Sequence, residues 1–123
     1  MIDERVALYL DDMKVAAEEA TSFVAEASET EFLASSQLQK ACSMCFVILG
    51  EAAARIEQVS PEFIAEHSDW PWKEIRGMRN VVVHDYAGLH MPRVWQTIRG
   101  ALPDLLSKIK DIGELDPRLW PRD

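Results

Sequence analysis

Apolar residues recur along this chain at the spacing of helices with one buried face. Val6, Leu10, Met13, Ala17, Ala20 and Val24 follow one another at steps of three and four, as an amphipathic helix requires. A second long stripe runs through Leu38, Ala41, Cys45, Ile48, Ala52, Ile56 and Val59. Ile75, Met78 and Val82 supply the inner face of a third helix. Trp95, Ile98, Leu102, Leu105, Ile109 and Ile112 mark a last one, which Pro103 is expected to kink by removing a backbone donor.

The interruptions between stripes carry their own signals. Ser28-Glu-Thr-Glu31 has the spacing of a capping box and restarts the chain as helix near Phe32. Ser60 followed by Pro61 reads as an N-cap and a first helical position. Ser68 to Trp72 is another stop and restart, and Tyr86 to Arg93, with a glycine and a proline, reads as a loop. No alternating strand pattern and no internal repeat is present. The expectation is an all-α protein, an antiparallel bundle of four to five helices over residues 1–115, with an irregular tail over 116–123.

Within that frame the segment Arg79-Asn-Val-Val-Val-His-Asp-Tyr86 stands out. Three valines suggest a buried helix, yet an arginine, an asparagine, a histidine, an aspartate and a tyrosine bracket them. Arg79 and His84 are five residues apart, about 140° around a helix axis, and cannot share a helical face. Either the helix ends near Val83 and His84 turns back, or the two groups meet partners from another chain. Arg76 and Arg79, three apart, lie side by side. The valines anchor the helix and the polar groups occupy its flank and end.

These side chains suit phosphoryl chemistry on RNA. An imidazole can take the 2′-hydroxyl proton or protonate the leaving oxygen near neutral pH. A guanidinium can hold the phosphate and stabilise developing charge. Asn80 adds a neutral donor, and Tyr86 presents a hydroxyl at the loop mouth. An isolated arginine and histidine near a helix end are also compatible with a structural role.

Composition narrows the setting. Of 123 residues 48% are hydrophobic and 28% charged, ordinary for a single globular domain. The net charge of −8 is unevenly spread. Residues 1–70 hold four Lys/Arg against fourteen Asp/Glu, residues 71–110 seven against three, and the last thirteen residues two against four. An acidic body with one basic region suits a face or cleft for an anion. The opening is acidic and lacks the basic stretch of a secretory signal, and the apolar run Ala41 to Gly50 is too short to span a bilayer. A cytoplasmic protein with no membrane association is expected.

Cys42 and Cys45 form a lone Cys-x-x-Cys inside a helical stripe, read as buried reduced thiols rather than a zinc or redox site. None of His67, His84 and His90 has a glutamate three positions before it, which disfavours a di-metal helical bundle. No metal site and no cofactor is expected. Trp72 and Trp95 read as core or interface anchors, His90 as a solvated loop residue, and Glu51 as a buried hydrogen bond or helix–helix contact. Arg93 and Arg99 could extend a phosphate track.

Pro71-Trp-Lys-Glu-Ile-Arg-Gly-Met-Arg-Asn-Val-Val-Val-His-Asp-Tyr86 resembles the HepT family of ribonuclease toxins, within the HEPN superfamily. Val94-Trp-Gln-Thr-Ile98, Leu102-Pro-Asp-Leu-Leu106 and Leu49 to Ile56 extend the resemblance over nearly the whole chain. The family's R-x4-H-x-Y form is matched by Arg79, Asn80, His84 and Tyr86 without departure. The resemblance implies a homodimer whose two motifs line one cleft, and metal-independent endoribonuclease activity centred on Arg79 and His84. It also implies a toxin–antitoxin pairing with an MntA-type nucleotidyltransferase that adenylylates Tyr86. The competing reading is a non-catalytic helical partner or substrate of such a nucleotidyltransferase.

Overall fold

The computed structural model describes residues 2–115, so the tail 116–123 lies outside the described residues. The described chain is all-α. Its long members are α1 (Glu4–Phe23), α3 (Ser36–Val59), α5 (Trp72–His84) and the consecutive pair α6 (Met91–Arg99) and α7 (Ala101–Leu115). Two short helices, α2 (Glu29–Ala34) and α4 (Pro61–Glu66), connect them. No helix among the described residues is long and apolar enough to cross a membrane.

Local chemistry sets these boundaries. Asp3 caps α1 by accepting from the Arg5 amide at 2.8 Å. Ser28 and Glu31 form the expected capping box at the start of α2. Ser60 precedes Pro61 as expected, but its hydroxyl bonds Glu62 rather than the helix backbone. Around α4 the rings of Phe63, His67, Trp70 and Trp72 pack together, and the Trp72 indole donates to the His67 carbonyl at 2.8 Å. That cluster fixes where α5 begins.

The expected α1 stripe is buried along its whole length. On α3 the inner face is rotated from expectation. Cys42, Phe46, Leu49 and Ala53 join Cys45, Ala52 and Ile56 inside, whereas Ile48 is exposed and Leu38, Ala41 and Val59 are only half-buried. The reason is that α3 packs against α1 on one side and α5 on the other. Its buried arc is therefore broad and centred on Leu49. Both neighbours run antiparallel to it, since Cys42 lies by Ala20, Glu51 by Arg79 and Glu57 by Arg76.

Two further expectations need correction. The last stripe is not one helix kinked at Pro103 but two helices parted at Gly100, whose amide closes α6 on Gln96. Pro103 falls in the first turn of α7, where a backbone donor has no helical partner to lose. The second concerns the valines. Only Val82 lies toward the core, and only half-buried, while Val81 and Val83 are exposed at 37% and 48%. Three consecutive residues spread over about 200° of a helix, so Val82 alone can continue the stripe of Ile75 and Met78.

Candidate active site

Helix α5 runs through His84, its last residue. That removes the possibility that His84 turns back onto Arg79, and leaves the two about 140° apart around one axis. The structure does not bring them together within one chain. His84 is exposed, and its ring has no hydrogen-bond or ion-pair partner among the described residues. It stands at the C-terminal end of α5.

Arg79 lies instead on the α3 side. Its guanidinium donates to the Asn80 side-chain oxygen at 3.2 Å and stands 3.6 Å from Glu51. Asn80, expected as a donor to phosphate, thus uses its carbonyl to orient Arg79. Glu51 makes the expected helix–helix contact but is exposed, not buried. Arg76 bonds Glu57 at 2.6 Å with both side chains about half exposed. Arg76, Arg79, Asn80, Arg55 and Glu51 line one groove of about 320 Å³ between α3 and α5. The side-by-side placement of Arg76 and Arg79 is as expected.

Gly50 is what lets this groove form, and sequence reading passed it over. A Cβ there would overlap the Cβ and Cγ of Arg79, so the stem of Arg79 lies directly on the α3 backbone. The available signal was a glycine inside an otherwise strong helical stripe, which marks close approach by a neighbour.

Beyond His84 the chain makes a 3-10 turn over Tyr86–Gly88. Asp85 sets it by accepting from the Gly88 amide at 3.2 Å, and a Cβ on Gly88 would collide with that carboxylate. Asp85 is a turn-former, a role legible in the Asp-x-x-Gly spacing. Tyr86 opens the turn half-buried, and its hydroxyl bonds none of the described groups. Trp72, Trp95 and Arg99 have structural duties. Trp72 is buried, Trp95 is half-buried against Phe32 with ring centres 5.4 Å apart, and Arg99 stacks over Trp95 at 5.1 Å. Cys42 and Cys45 are free and buried. No three His, Cys, Asp or Glu side chains come together as a metal-binding group among the described residues.

Residues 13–112 match the family described as Ribonuclease HepT-like. The chain is 35% identical over 82 residues to a protein named "putative RNase" from Caldanaerobacter subterraneus subsp. tengcongensis, covering 67% of this chain and 70% of that one. It is 30% identical over 104 residues to the "probable ribonuclease HepT" of Thermococcus cleftensis, covering 85% of this chain and 92% of that one. No solved structure matches the chain. An all-helical bundle with this family match places the chain, by class, among ribonucleases. The chain belongs to the HepT-like ribonuclease family.

Proposed function

We propose that the chain acts as a toxin that cleaves RNA without a metal ion, at a cleft between two copies, under control of a partner nucleotidyltransferase. The observation that carries the reading is the end of α5: His84 is exposed and unpartnered, five residues past an arginine that the same chain holds on a different face.

In the reaction, the 2′-hydroxyl oxygen attacks the adjacent phosphorus and the P–O5′ bond breaks. The products are a 2′,3′-cyclic phosphate and a 5′-hydroxyl. His84 of one copy removes the 2′ proton and returns it to the departing O5′, at a centre whose Arg79 comes from the other copy. Arg79, oriented by Asn80, holds the phosphate and stabilises its growing negative charge, and Arg76 adds a second cation in the same groove. Both arginines sit against carboxylates, but half-exposed pairs of this kind are worth about 0–1 kcal/mol and yield to a phosphate.

Tyr86 is the regulatory position. It opens the 3-10 turn directly after the motif helix, where an enzyme can reach it. A nucleotidyltransferase partner would transfer AMP from ATP to its hydroxyl, releasing pyrophosphate. The added phosphodiester and nucleoside would crowd the cleft mouth beside His84. The competing reading, a non-catalytic partner of such a nucleotidyltransferase, draws on the same ion pairs, which leave Arg76 and Arg79 already partnered. One assay separates them. Purified unmodified protein in EDTA should cleave RNA to cyclic-phosphate ends, and His84→Ala should lose roughly a hundredfold or more in rate with its circular dichroism unchanged. Cleavage that requires added magnesium, or that persists in His84→Ala, contradicts the proposal.

A further inference from the structure

A second groove lies on the opposite flank of α5, between it and α6. It has a volume of about 540 Å³ and includes Lys73, Gly77, Met78, Val81, Leu89 and Arg93 in its lining. Neither Lys73 nor Arg93 has an ion-pair partner among the described residues, in contrast to Arg76 and Arg79 across the ridge, which are held by Glu57 and Glu51. The groove's chemistry is thus an apolar floor with two unneutralised cations, Glu74 being the one carboxylate in its lining. Helix α6 also begins here: its N-cap residue His90 makes no side-chain cap bond and Pro92 lies in its first turn, so its positive dipole end lies at the groove uncapped by a side chain. Gly77 adds a third feature. A Cβ there would meet nothing within 4 Å, so no packing within this chain demands a glycine, yet its helix propensity is poor.

Gly77, Val81 and His84 follow at four and three residues, which puts the groove floor and the end of the motif helix on one flank. A strand whose scissile phosphate lies at His84 would extend along this flank.

We propose that the α5–α6 groove is a nucleotide subsite for single-stranded RNA, a reading that rests on the ribonuclease function above. One base beyond the scissile phosphate lies on Met78, Val81 and Leu89 against the bare backbone of Gly77, and its phosphate sits between Lys73 and Arg93. An apolar floor accepts any base face, and the cations hold the backbone, so the subsite supplies affinity rather than sequence choice. A duplex is too wide for a groove of this size.

The test uses the cleavage-deficient His84→Ala protein and a short unstructured RNA followed by fluorescence anisotropy. Adding Lys73→Ala and Arg93→Ala should weaken binding roughly tenfold and flatten its dependence on salt by about one unit of slope per lost phosphate contact. Gly77→Leu fills the floor without changing charge and should weaken binding comparably, while adding a better helix former. Lys40→Ala, an exposed cation elsewhere on the chain, should change nothing. Unchanged affinity in the double variant, or an equal loss in Lys40→Ala, overturns the subsite. So does a shift in sedimentation coefficient with Gly77→Leu, which would make the groove a protein interface. Because binding is read without cleavage, a protein that cuts no RNA defeats the ribonuclease reading and leaves this one to be judged by the same binding curves.

Discussion

Gly50 is the residue on which the geometry of Arg79 depends. The arginine's stem occupies the volume a side chain would take, so Gly50→Ala must push α3 and α5 apart or displace Arg79. Overpacking of this kind costs about 1–3 kcal/mol, and thermal unfolding should register it. RNA cleavage should fall further than stability does, because the guanidinium moves with its stem. An alanine variant with wild-type melting and wild-type cleavage would show that the close approach is dispensable. The buried thiols make a second residue-level case. Burial pushes Cys42 up to about 12 and Cys45 to about 11, so both stay protonated and unreactive in the folded chain. Since the folded values lie above the unfolded ones, their contribution to stability is complete below about pH 9 and is lost as pH rises toward 11–12. Iodoacetamide at pH 8 should label neither cysteine until denaturant is added. Rapid labelling of the native protein would contradict the packing.

At the scale of elements, α5 divides the exposed valines between its two flanks. Val81 opens into the α6 groove, whereas Val83 lies on the flank of Arg76 and Asn80 with nearly half its surface in water. An exposed β-branched residue beside the motif is where a second α5 would rest. Val83→Asp should therefore leave the monomer's melting little changed, within about 0.5 kcal/mol, yet shift sedimentation toward monomer. Sedimentation that stays dimeric in this variant would move the interface elsewhere. How far the sequence disclosed these elements depends on what each one answers to. The α1 stripe was legible because that helix buries one narrow face, and the Ser28–Glu31 box because capping is local chemistry. The α3 face was misjudged by part of a turn because two neighbours share it, a tertiary fact no periodicity contains. Val81 and Val83 were assigned to the core on composition, and helical geometry places only Val82 there. The break at Gly100 was hidden because an unbroken apolar period runs from α6 into α7. In the site, Arg76 and Arg79 fell together as their i, i+3 spacing foretold, while Gly50 and the Lys73–Arg93 groove come from separate helices and were not visible.

At the scale of the molecule, the bundle sets one ridge, α5, between an arginine groove and a second basic groove, with His84 exposed at its end. No bend of one chain unites Arg79 with His84, so the account requires two chains to build each catalytic centre. In an isologous dimer the Arg79 of one chain serves the His84 of the other, and the reverse. Two inactive variants can then rescue each other. Arg79→Ala and His84→Ala, carrying different affinity tags, would be co-expressed and the heterodimer purified through both. That heterodimer holds one doubly damaged centre and one intact centre. RNA cleavage in EDTA should return at roughly half the wild-type rate per dimer, while each homodimeric variant stays inactive. A heterodimer as inactive as its parents would mean that each centre lies within a single chain, and would contradict the account.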